Sequence, residues 1–381
     1  MPIFDQGYQH WSGELSGHSW RWLAITRNGL RTGFKNRMMR YVLYLAWVPA
    51  LVLVVMLCLW GLLERKSSAA SLFIQMMTFM SPKLVSTPHA FRVDVWRLCY
   101  YYFLLVELYV SMLIILLVGP SLISQDLRFN ALPLYFSRPL RRLDYFVGKL
   151  GIIVAFLTMV VILPSIVAYI FGLFFSLDLT IIPDTFGILL ESITFGLIVA
   201  FSAGMLMLAL SALSRNSRYV ALLWLGLCLV SSIVSAVLQS EFSEQRRDFY
   251  MNNPAVRRPI DLSGDMSRDE RNAKLRAWRT AREKAQEDFR IGELEFSKKD
   301  WRPLISYTGN LARLGQQLLS KEDTWRDLSE LAPQPAARNF ILANYIDPEF
   351  PWYWSFAVLF GLFGLSACIL TLSVKSLDRL K

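Results

Sequence analysis

Hydrophobic residues along this chain come in blocks, not in the alternation or the 3.6-residue stripe that a soluble fold would bury. A helix needs about 20 apolar residues to cross a bilayer core of about 30 Å. Six segments reach that length: Tyr41–Leu63, Leu98–Ile123, Phe146–Phe175, Thr185–Leu213, Tyr219–Gln239 and Trp352–Val374. The third and fourth exceed what one span needs, which predicts tilt or extension into the interface. Ahead of the first block, Ser19–Met39 mixes Trp20, Trp22, Leu23, Ile25, Leu30 and Phe34 with Arg21, Arg27, Arg31, Lys35 and Arg37. That mixture predicts an amphipathic helix in the headgroup layer, basic side toward anionic membrane lipid. Leu72–Met80 is apolar but too short to cross. Residues 240–351 break the pattern with a polar insert, in which Ser267 and Glu270 form a Ser-x-x-Glu capping box. The box opens a largely solvated helix through Phe289. Leu304, Tyr307, Leu311, Leu314 and Leu318 then form an apolar stripe suited to the outer mouth of the bundle or to a symmetry mate.

The pattern predicts an all-α polytopic membrane protein with six transmembrane helices. An N-terminal interfacial helix precedes them, and a helical extracytoplasmic insert separates spans five and six. The expected divisions are residues 1–40, a transmembrane unit 41–239 with an inner loop at 125–149, the insert 240–351, and a last span with its tail at 352–381.

Charge orients this arrangement. Of the 40 Lys and Arg, 16 fall in Met1–Arg40, Gln125–Lys149, Ser214–Arg218 and Lys375–Lys381, against five acids, which leaves +11 there. The insert carries 19 basic and 19 acidic residues and is neutral. The excess of positive charge in short loops marks their cytoplasmic side, so both termini are expected in the cytoplasm. A nucleic-acid partner is not needed to explain the net charge of +10. The polar, basic residues before the first block do not read as a cleavable signal peptide. The four cysteines lie in or beside spans without metal-ligand spacing, so neither a disulfide framework nor a metal site is expected.

No catalytic motif assembles. Gly148-Lys149 lacks the upstream glycine and following hydroxyl of a phosphate loop, so energy must come from a partner or a gradient. Glu107 and Glu191 lie inside spans two and four, where an acid costs a few kcal/mol unless it faces protein or water. They are candidates for a translocation path. The alternative is satisfaction by neighbours, Tyr109 and Ser111 for the first, Ser192 and Thr194 for the second, or a position near enough the interface to hydrate.

Residues 125–149, QDLRFNALPLYFSRPLRRLDYFVGK, carry the most specific signal. Leu127, Phe129, Leu132, Leu134 and Phe136 interleave with polar residues. Pro139 stops helix at or before Arg138, Arg141 and Arg142 follow, and Gly148 permits close packing as the next span begins. The series Asp126, Leu132, Leu134, Tyr135, Ser137, Arg138, Pro139, Leu140, Tyr145, Gly148 and Lys149 resembles the membrane subunits of type-2 ABC exporters. The six spans, basic N-terminal helix and tight turn between spans four and five extend the resemblance over most of the chain, although the insert is longer than in many members. The resemblance implies a permease forming the pathway as a homodimer or paired permease in a bacterial inner membrane. It also implies a separate cytosolic ABC ATPase, which binds ATP and Mg while this chain binds no cofactor. The ATPase is expected to engage Asp126, Arg128, Leu132, Tyr135, Arg138, Pro139, Arg141, Arg142, Gly148 and Lys149. A scaffold or sensor presenting the insert, and an ion-coupled carrier using Glu107 and Glu191, are the competing readings.

Overall fold

The computed structural model describes residues 20–132, 135, 141–176, 180–252, 267–331 and 350–375, and the regular elements among them are all helical. Among the described residues, six helices are long and apolar enough to cross a membrane: Arg37–Glu64, Pro88–Arg128, Arg142–Phe175, Ile181–Leu213, Ser217–Glu241 and Trp352–Ser373. Each covers its hydrophobic block to within a residue, so the chain is a multi-pass membrane protein.

Helix α1 (Arg21–Lys35) and α2 (Arg37–Glu64) meet at an extended Asn36, whose side chain accepts from the Met38 N–H at 3.0 Å. Together they back the third span. α1 runs along its first half, α7 (Arg142–Leu157), and α2 along its second, α8 (Leu163–Phe175). Glycines set both approaches. A Cβ on Gly148 would lie 2.8 Å from Ile25 Cβ and 2.9 Å from the Trp22 carbonyl, while Gly29 and Gly33 of α1 face Ile152 and Phe156. Gly61 of α2 meets the Phe175 backbone in the same way. Without a hydrophobic drive between helices in lipid, such close backbone packing is a main source of association. α1 is held lengthwise on α7. A π-helical turn at Thr158–Ile162 joins α7 to α8, just ahead of Pro164, which removes a helical donor.

Helices α3 (Ser71–Met80) and α4 (Pro82–Ser86) form the first connection, and Leu72 and Phe79 of α3 are 81% and 93% exposed. The second span comprises α5 (Arg92–Val118) and α6 (Ser121–Arg128), separated by Gly119 and Pro120. The fourth, α9 (Ile181–Leu213), lies at the centre and packs on α5, α6, α7 and the last span, α15 (Trp352–Lys375). The fifth is α10 (Ser217–Leu225), a π-helical turn at Gly226–Val230, and α11 (Ser231–Met251), which continues past the apolar block. At the end away from α6, a buried Arg92–Glu64 pair (2.8 Å) joins the first two spans, with Trp60 Nε1 and Ser176 Oγ also donating to Glu64.

In the insert, the capping box forms as read. The Ser267 N–H donates to Glu270 Oε2 at 3.0 Å, and the Glu270 N–H to Ser267 Oγ at 3.3 Å. It opens α12 (Arg268–Ser297), longer than expected. The striped helix α13 (Tyr307–Leu318), followed by α14 (Lys321–Ser329), sits elsewhere than at the mouth. Tyr307 at its start is 3.1 Å from Ser202 Oγ and packs on Trp224, whose Nε1 donates to the Met112 carbonyl. Trp224 stands about two helical turns from Ser217, where span five begins beside α6. α13 thus dips between spans two, four, five and six. A polar seam makes that burial possible: Asn310 Nδ2 donates to the Leu304 and Ser306 carbonyls, Ser355 Oγ donates to Asn310 Oδ1, and Ser232 contacts both Ser306 and Thr308 at 2.9 Å.

Candidate functional site

Every polar group that leaves water needs a partner, and where span two ends this is met across helices. Pro120 interrupts the ladder before α6. Ser211 of α9 repairs the break, its hydroxyl accepting from the Ile123 and Ser124 N–H groups at 3.1 and 3.0 Å and donating to the Pro120 carbonyl at 3.0 Å. Ser124 Oγ lies 2.7 Å from Ser217 Oγ at the start of span five. α6 is thereby fixed to spans four and five.

Asp126 lies on the last turn of α6. Its Oδ2 takes the Lys149 ammonium at 2.7 Å and the Tyr145 hydroxyl at 2.7 Å. The Lys149 and Asp126 side chains are only 10% and 16% exposed. Lys149 Nζ also sits 5.4 Å from the Tyr145 ring centre, a cation–π contact. The chain turns at Asn130, in the left-handed region at φ 49°, where asparagine is among the residues that tolerate it. Leu132 is buried, and the Tyr135 ring packs 5.4 Å from that of Tyr145. Burial first, and then the Asp126 charge, push the Tyr135 phenol above its usual range. The Arg141 N–H donates to Asp144 Oδ2 at 3.2 Å, starting α7. Gly148 closes the assembly, with Thr26 Oγ1 of α1 donating to its carbonyl at 2.9 Å.

The structure thus brings together Asp126, Tyr135, Gly148 and Lys149, with Leu132 anchoring the connection. Arg128, Arg141 and Arg142 are exposed around it, as are Phe129 and Leu143 at 73% and 72%. Arg138 and Pro139, with Leu134, Ser137 and Leu140, lie outside the described residues. Sequence reasoning missed the part played by α1. The signal was there in Asn28, Thr32 and Asn36, polar residues one helical turn apart. With Gln125, Asp126 and Lys149 they line a cavity of about 660 Å³ between α1 and the ends of spans one to three.

The intramembrane acids stand apart from this site. Glu107 is fully buried and neither carboxylate oxygen has a hydrogen-bond partner among the described residues, and the same holds for Ser111 Oγ one turn on. The neighbour satisfaction weighed for both acids does not occur. Tyr109 is 57% exposed, and Ser192 and Thr194 donate instead to the Ile188 and Leu190 carbonyls of their own helix. The cysteines are free, and no cluster among the described residues could hold a metal ion.

A comparison with protein families matches residues 63–308 to the ABC-2 family transporter proteins. No curated protein matches the chain.

Proposed function

The chain belongs to the ABC-2 transporter family as a permease subunit, and from that premise we propose that it works as an exporter driven by a cytosolic ABC ATPase docked on residues 125–149. The observation that carries the reading is the lock of Asp126, Tyr145 and Lys149. It ties the end of span two to the start of span three, so a push on the connection between them moves two spans as one body. The exposed Arg128, Arg141 and Arg142, with Phe129 and Leu143, supply a surface of mixed charge and apolar area for the partner. ATP and Mg belong to that partner. Nucleotide shifts the permease only if the ATPase holds one arrangement of the two spans more tightly than the other.

The α6 end faces the cytoplasm in this reading, at a bacterial inner membrane, with the insert outside. Exposed apolar faces on spans one, five and six serve lipid and a second copy, and a two-fold axis provides the pathway. Arg138→Glu with Arg141→Glu is expected to leave membrane insertion intact and to reduce recovery of the ATPase by pull-down. Unchanged recovery together with unchanged stimulation of ATP hydrolysis would remove the docking assignment.

A second reading, coupling to an ion, is favoured by Glu107. It lies on α5 between two ties to α13, Trp224 at Met112 with Tyr307 against it, and Gln316 Nε2 at the Tyr101 hydroxyl. Movement of α13 would open this carboxylate to a path. Transport that is lost in Glu107→Gln and persists without ATP would replace the first reading by this one.

A further inference from the structure

We propose that the cavity beside Asp126 and Lys149 binds a zwitterionic phospholipid, with phosphatidylethanolamine the headgroup it fits. Its volume of about 660 Å³ lies within the range of about 300–1,000 Å³ usual for small-molecule sites. The described lining divides by chemistry. Asn28, Thr32 and Asn36 offer neutral donors and acceptors along α1, while Ile25, Met39, Leu117, Val118, Leu122 and Ile152 are apolar.

Charge decides the headgroup. Asp126 and Lys149 are the charged residues of the described lining, and each keeps capacity to spare. An ammonium has three donors and a carboxylate about four acceptor sites. Lys149 gives one bond to Asp126, which also receives the Tyr145 hydroxyl. Spare donors and acceptors of opposite charge therefore stand side by side. An anion alone would be repelled by Asp126 and a cation alone by Lys149. A phosphate joined to a primary ammonium satisfies both. A quaternary ammonium has no N–H for the carboxylate, which ranks ethanolamine above choline. The arginines of α1 are not among the described lining residues, so the charges within the described lining balance. A lipid fits better than a soluble phosphoethanolamine because the apolar wall lies where the spans emerge, giving acyl chains a surface to follow.

The test uses the isolated, delipidated chain in detergent, with no ATPase present, so its outcome is separate from that of the docking reading. Native mass spectrometry follows binding of phosphatidylethanolamine, phosphatidylcholine and phosphatidylglycerol with identical acyl chains. Phosphatidylethanolamine is expected to bind about tenfold more tightly than either, the scale of one charge-assisted hydrogen bond. Asn28→Trp fills the cavity from an exposed position without touching the ion pair. It is expected to abolish that preference and to keep the wild-type unfolding midpoint in lipid-free detergent. Equal binding of the three lipids, or an undiminished preference in Asn28→Trp, would overturn the proposal. Competition by glycerophosphoethanolamine as effective as by intact lipid would overturn the lipid assignment.

Discussion

At the scale of single residues, the site depends on groups that are costly to leave alone. Lys149→Met strands the Asp126 carboxylate in a pocket where it is only 16% exposed. Removing one partner of a buried pair costs about 3 kcal/mol or more, whereas replacing both with groups of similar shape is often close to neutral. The unfolding midpoint in detergent should therefore fall sharply for Lys149→Met and recover most of the loss in Asp126→Asn/Lys149→Met. Equal loss in the single and double variants would show that the pair is not what the site rests on. Gly148→Ala tests the other contact. The added Cβ would meet the Trp22 carbonyl at 2.9 Å, and backbone cannot yield as a flexible side chain can. Overpacking of this kind costs about 1–3 kcal/mol, seen as a lowered midpoint and as faster protease cleavage within α1.

At the scale of elements, what the sequence makes legible depends on whether a pattern has one physical solution or several. Blocks of about 20 apolar residues have one in a bilayer, and all six spans appear where the blocks lie. The Ser267–Glu270 box likewise has one local solution and forms. The stripe of α13 has several, because an apolar face looks the same resting on a bundle or entering it. Its entry depends on Ser306, Thr308 and Asn310 meeting Ser232 and Ser355, partners distant in sequence. The site falls between these cases. Its residues stand out one by one, yet Asp126 and Tyr145 are 19 positions apart, and nothing local reveals that they bond. For Glu107, Tyr109 at i+2 points away on a helix, while Ser111 at i+4 shares its face and still makes no bond to it. If the seam is what admits α13 to the bundle, Asn310→Ala should cost about 1–3 kcal/mol by taking the side-chain partner from the Leu304 carbonyl and the Ser355 hydroxyl. Amide hydrogen exchange along α13 should then be faster in that variant than in the wild type. Unchanged exchange would mean that the apolar stripe alone seats the helix.

At the scale of the whole molecule, the separate basic segments become one surface. α1 lies against α7, α6 is tied to the start of span five, and Lys149 anchors the turn between them, so the described parts of residues 20–40, 125–149 and 214–218 meet at one end. The neutral insert, with α12 and its alternating charges, belongs to the other connection. If the positive end faces the cytoplasm, accessibility must differ between the two. Lys284→Cys on the exposed face of α12 should react with a membrane-impermeant maleimide from outside the inner membrane. Arg31→Cys on the exposed face of α1 should react only once that membrane is permeabilised. Both positions are exposed in the structure, so a failure to label reports the membrane and not burial. The reverse pattern would place residues 125–149 outside, away from any source of ATP, and would remove the basis for an ATPase acting there.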